Sequence, residues 1–330
     1  MSQIIPIQTQ NLAPRDRTFM EALTDALQMT VKNKPYTAYI TRSTPSVFLF
    51  LIDQSGSMSE KVTLENGTST TKDVFLSDAL NATLNSLLDR CIKGNDIRDY
   101  FEVAVIGYGG KSGTVANLAW QGKLAGKSWV TMTELRDNFL EEREEEVERT
   151  VRGKAVKSIV KRKTWIEPLS EYQTPMHNAF TLAAELLEDW IVRYKGINVY
   201  PPTILNITDG QFTDAKNDAM LDAAQRIMQL KTMDGNALLF NLHISSKDRK
   251  SVLFPNRKEE LPENDDYARL LFDMSSDLPE IFNLDIAQMR GTDTMSTFTA
   301  MAYNASLDKL IGLMNIGTST TTRQIQVQNA

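Results

Sequence analysis

The stretch Val47-Phe-Leu-Phe-Leu-Ile-Asp-Gln-Ser-Gly-Ser-Met58 constrains the fold more than any other part of the chain. Six consecutive apolar residues, Val47 to Ile52, stop abruptly at Asp53, Ser55 and Ser57. An uninterrupted apolar run of this length, bounded by polar turn residues, predicts a strand buried on both faces, as in a parallel α/β sheet. The loop after such a strand lies at its carboxyl end, the edge where open α/β sheets place their ligands. Asp-x-Ser-x-Ser sets three oxygen donors around a Gly-containing turn. Hard oxygen donors without His or Cys suit Mg²⁺, Mn²⁺ or Ca²⁺ rather than zinc. One carboxylate and two hydroxyls do not fill an octahedron, so other loops, or a ligand, must supply the rest.

The chain around this strand alternates helix and strand signals. Leu76, Leu80, Leu84, Leu87, Leu88, Cys91 and Ile92 recur at helical spacing, predicting an amphipathic helix over 73–93 with Cys91 as a small core residue. Phe101–Tyr108 and Thr114–Trp120 are β-like with Gly109, Gly110 and Gly113 between them, a hairpin pattern. Met176, Ala179, Phe180, Ala183, Leu187, Trp190 and Ile191 give a second helix, and Ala219 to Leu230 a third. Thr203–Thr208 reads as another buried strand, ending in Asp209, and Leu238, Phe240, Leu242 and Ile244 alternate as a strand. Strands alternating with helices predict a doubly wound, mostly parallel sheet with helices on both faces.

The flanks divide the chain. Residues 1–45 read as an N-terminal arm with a short helical stripe (Phe19, Leu23, Ala26, Leu27) and an extended piece around Tyr36–Ile40. Residues 46–246 carry the α/β domain, interrupted by an insert at 121–172. Residues 247–330 form a C-terminal extension packed on the same domain, helical around Leu270–Phe272 and Leu307–Leu313. The insert holds six glutamates in Glu141–Glu148 and a basic run from Arg152 to Lys163. A Glu-rich run favours one charged helix. Opposite charges and apolar Val147, Val151, Val156, Ile159 and Val160 facing across a turn at Gly153 favour a hairpin.

A net charge of −6 argues against a general nucleic-acid binder. The single cysteine permits no internal disulfide and suits a reducing compartment. Met1-Ser-Gln-Ile-Ile lacks a signal-peptide pattern, and no apolar run approaches the ~20 residues that span a bilayer. The expectation is a soluble, cytoplasmic protein without a membrane partner.

The missing donors belong at strand ends and helix starts. Asp209, followed by Gly210, ends the strand Thr203–Thr208, and Thr174 stands just before the second helix, with Pro175 suited to a first helical position. His177 and His243 are the only histidines, so there is no zinc constellation, and no Gly-rich phosphate loop is present. Ser55 or Ser57 as a nucleophile would need a base within reach, and only His177 is a candidate.

These three loops, in this order, resemble the von Willebrand factor type A domain with its metal-ion-dependent adhesion site, over about Ser46 to Ser246. The resemblance implies a cation bound directly by Ser55, Ser57 and Thr174, with Asp53 and Asp209 acting through water. It implies one coordination position left open for a carboxylate of a partner protein. Asp-x-Ser-Gly-Ser-Met, Thr-Pro-Met before the helix and Tyr303-Asn-Ala-Ser-Leu-Asp-Lys-Leu-Ile resemble, more narrowly, bacterial intracellular members associated with tellurium-resistance and kinase–phosphatase gene sets. The expected function is a Mg²⁺-dependent binding module, a scaffold or regulator in a signalling or stress-response assembly, and not an enzyme. Two alternatives share the site: a metal-dependent phosphoryl-transfer enzyme, and an adaptor for a ring-forming AAA+ ATPase. A phosphatase with an aspartyl nucleophile usually wants a second carboxylate two residues on, where this chain has Ser55.

Overall fold

The computed structural model describes residues 35–325, apart from 65–66, 110–115, 152–153, 245–250, 293–295, 306–308, 311 and 315–324. The arm's helical stripe, Thr114, the turn at Gly153, Ser246 and part of Leu307–Leu313 lie outside the described residues. In chain order the larger elements are β1 (Ser46–Asp53), α1 (Lys72–Cys91), β2 (Phe101–Tyr108), β3 (Ala116–Leu118), β4 (Val130–Thr131), α2 (Met132–Asp137), β5 (Glu141–Val151) and β6 (Lys154–Thr164). They continue with α3 (Met176–Arg193), β7 (Thr203–Thr208), α4 (Asn217–Gln229), β8 (Leu238–Ile244), β9 (Val252–Leu253), α5 (Asp266–Asp273), α6 (Asn283–Arg290) and β10 (Met301–Ala305).

Among the described residues the main sheet has eight strands in the order β9-β10-β8-β7-β1-β2-β3, with β4 also pairing β2. The inner ladders β10–β8, β8–β7, β7–β1 and β1–β2 are parallel. Antiparallel β9, β3 and β4 close the margins. Every residue of β1 is buried. Its side chains alternate between two cores, as a strand of period two must. Phe48, Phe50 and Ile52 pack with Leu76, Leu80, Leu84, Leu87, Leu88 and Cys91 of α1 and Ile286 of α6. Val47, Leu49 and Leu51 pack with Phe180 and Trp190 of α3, Ile227 of α4 and Leu271 of α5. The sheet is therefore covered on both faces, which is the α/β architecture the apolar run requires. Burial pushes the Cys91 thiol up to about 12, so it is an inert core residue.

Three strands of the main sheet were not legible in the sequence: the two-residue β4 and β9, and β10. Met301–Ala305 enters between β8 and β9 and pairs parallel with β8. It is five residues long, carries two alanines, and turns at Asn304 in a positive-φ conformation (φ 49°). The register shifts between Leu242 and Ile244 where it joins. Neither length nor alternation marks such a segment as a strand.

The insert is a hairpin and not a single helix: β5 and β6 form an antiparallel ladder from Glu141↔Thr164 to Val151↔Lys154. Glu142 stands opposite Lys163 and Glu144 opposite Lys161, and Lys161 Nζ reaches Glu142 Oε1 at 2.9 Å. Its root is fastened to α1. Asn85 Nδ2 donates to Lys163 O at 2.8 Å and Asn85 Oδ1 accepts from Lys163 N–H at 3.1 Å, while Asn81 Oδ1 accepts from Trp165 N–H at 2.9 Å. Trp165 is buried there, donating through Nε1 to Leu135 O at 2.8 Å. Before the hairpin, α2 begins with a reciprocal cap between Thr131 and Glu134, a Thr-x-x-Glu signal that apolar periodicity alone does not reveal.

Because the anchors described lie at the root, the distal hairpin should be dispensable for folding. Replacing 144–161 by a Gly-Ser turn joining Arg143 to Arg162, which are opposed in the ladder, should shift the melting temperature by no more than about 2 °C. Differential scanning calorimetry would measure it, and a much larger drop would show that the hairpin carries the fold.

Candidate metal centre

The site begins where β1 stops. Asp53 is 1 % exposed, and both its oxygens are engaged: Oδ1 accepts Ser55 N–H at 2.9 Å and Oδ2 accepts the Thr208 hydroxyl at 2.9 Å. The first bond folds the backbone back over the strand end; the second ties β1 to the end of β7. A 3-10 turn comes next over Gly56–Ser59, closed by Met58 N–H on Ser55 O at 3.0 Å. That turn sets the two hydroxyls side by side, with Ser55 Oγ 3.1 Å from Ser57 Oγ. Ser57 Oγ then donates to Asp209 Oδ1 at 2.7 Å. Asp53, Ser55, Ser57 and Asp209 thus form one hydrogen-bonded set across the carboxyl ends of β1 and β7.

Close backbone approach makes the turn possible. Gln54 N–H donates to Tyr108 O at 2.8 Å, extending the β1–β2 pairing past the strand end. A Cβ on Gly109 would stand 2.2 Å from Gln54 O, so only glycine leaves room for the loop at that position.

The Thr174 loop joins through its backbone. Glu171 N–H donates to Gln54 O at 2.6 Å, and Glu171 forms a parallel bridge with Ser55. Thr174 is 7 % exposed; its N–H donates to Thr213 Oγ1 at 3.1 Å and its carbonyl accepts Thr213 N–H at 3.0 Å. Asp214 accepts the N–H groups of His177 and Asn178 at 3.1 and 2.9 Å, fixing the start of α3. The third loop is held by Tyr267, whose hydroxyl donates to Gly210 O at 2.5 Å.

Four contributors are invisible to motif spacing: Lys72, Glu60, Thr208 and Tyr267. Lys72 Nζ lies 2.7 Å from Asp209 Oδ2 and 2.6 Å from Glu60 Oε2. The sequence shows at most that Lys72 is out of place, without naming its partners. A lysine on the first turn of a helix sits at the positive end of the dipole, a local mismatch that calls for nearby carboxylates.

Electrostatics follow from burial. Burial, reinforced by the charge of Asp209, pushes the Asp53 carboxyl up to about 6 against the hydrogen bonds from Ser55 and Thr208. Burial works against the Lys72 ammonium, but its hydrogen bonds to Asp209 and Glu60 win and raise it. Burial pulls His243 down to about 4; it is a neutral ring stacked on Tyr303, with Nδ1 accepting Asn304 N–H at 3.2 Å. His177 lines a cavity of about 270 Å³ between α3 and α4 with Phe180, Thr181, Ala219 and Arg226.

The donor chemistry suits a hard cation. Every converging side-chain atom from Asp53, Ser55, Ser57 and Asp209 is oxygen. Among the described residues no group of three or more His, Cys, Asp or Glu is arranged to hold a metal ion by itself, so a cation here would draw on the hydroxyls. Both carboxylates are already taken up by protein donors, whereas each serine hydroxyl keeps a lone pair for coordination. The set fits hydroxyl-first binding with Asp53 and Asp209 behind it.

No protein-family model matches the chain, and no curated protein matches it. Solved structures similar to it include a von Willebrand factor type A protein from Catenulispora acidiphila (12% identity, TM-score 0.33, 61% of this chain and 33% of that one). Others are an aerotolerance-related membrane protein from Bacteroides fragilis (11%, 0.35, 84% and 99%) and the vWF domain of the type V pili tip protein Mfa5 from Porphyromonas gingivalis (7%, 0.37, 87% and 98%). The chain spans about a third of the length of the first of these. Likeness this distant says nothing about the site, whose chemistry rests on its own residues.

The raised Asp53 value has a consequence for stability. The folded state holds this proton more tightly than the unfolded chain, whose value is near 3.8, so the contribution is present at low pH and lost as pH rises from about 4 to about 6. In chelator, the stability difference between wild type and Asp53→Asn should fall by on the order of 2 kcal/mol across that window. Urea unfolding at several pH values measures it; a flat difference would contradict the burial argument.

Proposed function

We propose that this protein is a metal-dependent binding module that captures an acidic side chain of a partner protein on a divalent cation. Ser55, Ser57 and Thr174 would hold the cation directly, with Asp53 and Asp209 behind them, and Mg²⁺ is the expected ion, with Mn²⁺ or Ca²⁺ as alternatives. The observation that carries the reading is the convergence of Ser55 Oγ, Ser57 Oγ and Asp209 Oδ1 within hydrogen-bond distance at the carboxyl edge of the sheet. When bound, such a cation is a Lewis acid with a position open to an incoming carboxylate. The resemblance of the three loops to the metal-ion-dependent adhesion site supports the same reading.

A binding role is favoured over catalysis because neither histidine stands beside the two hydroxyls, and Asp209, which accepts the Ser57 hydroxyl, is held by the Lys72 ammonium, which weakens it as a base. His177 faces the α3–α4 cavity and His243 is a buried neutral ring whose Nδ1 is occupied. A captured carboxylate would stay a ligand. The charged β5–β6 hairpin enters the chain between the strand at Ala116–Leu118 and the Thr174 loop, and its segregated charges would add orientation and association rate. We place the protein in a bacterial signalling or stress-response assembly of the tellurium-resistance type, with a kinase, phosphatase or ring-forming ATPase as the partner class. No described helix is long and apolar enough to cross a membrane.

Calorimetric titration with MgCl₂ should show one site in wild type and none in Ser55→Ala or Thr174→Ala. Asp209→Asn should bind at least about tenfold more weakly, the equivalent of 1.4 kcal/mol. Capture of a partner on immobilised protein should need Mg²⁺ and be lost in EDTA. Equal capture in EDTA would sink the mechanism. Metal-dependent turnover of a phosphomonoester, abolished by the same substitutions, would put the enzyme reading in its place.

A further inference from the structure

Lys72 is the one contributor to the site whose charge opposes a cation. It is 4 % exposed and opens α1, where burial and the helix dipole both disfavour an ammonium. Two carboxylates hold it there, Asp209 Oδ2 at 2.7 Å and Glu60 Oε2 at 2.6 Å. Its backbone is fixed to the same partner, Lys72 N–H donating to Glu60 O at 3.2 Å. The Asp209 side chain is fully buried, and its other oxygen takes the Ser57 hydroxyl. The ammonium is therefore separated from the candidate cation ligands by a single carboxylate.

We infer that Lys72 is the site's resident counter-ion: it neutralises Asp209 when no metal is bound and, by like-charge repulsion, sets a low affinity for the divalent cation. This rests on the metal reading above and adds a positioning residue to it. The charges are consistent with the assignment. Asp53, Asp209 and Glu60 bring three formal negative charges, and Lys72 offsets one. Without Lys72, Asp209 would lose the ammonium beside it, and the cluster would hold a divalent cation harder. An unpaired Asp209, fully buried, would be costly in the metal-free fold. With Lys72 in place, the fold does not need metal to form, and a carboxylate arriving at the cation adds to its hold. Metal and acidic partner would bind cooperatively.

The test compares wild type, Lys72→Met and Lys72→Arg by calorimetric titration with MgCl₂ and by thermal melts in EDTA and in Mg²⁺. Lys72→Met should bind Mg²⁺ about tenfold or more tightly than wild type, because a charge within a few ångströms acts strongly in a partly buried site. Lys72→Arg, which keeps the charge, should stay within about threefold of wild type. In EDTA, Lys72→Met should melt below wild type and be restored by Mg²⁺, whereas wild type should respond little. If Lys72→Met does not fold, Lys72→Met/Asp209→Asn decides. That pair removes the ammonium together with the buried carboxylate it neutralises and leaves Glu60, whose side chain is 57 % exposed, to water, so folding supports the counter-ion role, and failure to fold overturns it in favour of simple packing by the lysine stem. Mg²⁺ affinity unchanged or weakened in Lys72→Met also overturns the inference while leaving the metal reading standing. Mg²⁺ binding by neither protein would instead sink the metal reading itself.

Discussion

The whole arrangement depends on β1 being paired on both sides by parallel strands. A strand with β7 on one edge and β2 on the other has its backbone satisfied by the sheet, so its side chains are free to be apolar throughout. Six of them are, and the chain meets its first polar group only where the ladder ends. Asp53 is consequently a carboxylate at the boundary of a dry interior. Its hydrogen bonds to Ser55 and Thr208 are the minimum that makes such burial tolerable, and they are the bonds that shape the loop. Geometry at the site is a by-product of solving the burial problem.

The helices and loops extend the same logic outward. Two cores, one on each side of β1, are filled by α1 and α6 on one face and α3, α4 and α5 on the other. Between them the sheet carries a row of buried amides: Asn206 accepts the Tyr108 hydroxyl at 2.8 Å and donates to Asn241, which in turn donates to Met274 O and Ser275 Oγ. This chain of satisfied polar groups ties β2, β7, β8 and the end of α5 into one register. It lies directly beneath the loops that present Asp53 and Asp209, so their relative position is fixed from below.

How much of this the sequence disclosed depends on range. The central strands, the three long helices and the grouping of Asp53, Ser55, Ser57 and Asp209 at the strand ends were legible because each is signalled within its own ten or twenty residues. Lys72 and Glu60 were not, because their roles appear only when Asp209, 137 positions downstream of the lysine, is brought against them. Thr208 was hidden inside an apolar strand as its least conspicuous member. The β5–β6 hairpin was half legible: its charges could pair along one helix or across two strands, and only the ladder decides. Met301–Ala305 escaped because a five-residue strand completed by its neighbours has too few side chains to show a period.

That last strand gives the molecule an unusual order of completion. β8 pairs β7 along one edge, and its other edge is met by Ser276, 37 positions beyond Leu239, and by β10 still later in the chain. During synthesis, a chain that has reached Ile244 exposes along β8 a row of unpaired amides and carbonyls flanked by Leu238, Phe240 and Leu242. Such a border recruits any extended segment that comes near, from its own chain or another's. Until the segments around Ser276 and Met301–Ala305 dock, β8 is open to such pairing, and those later segments act as the chain's own blocking peptide.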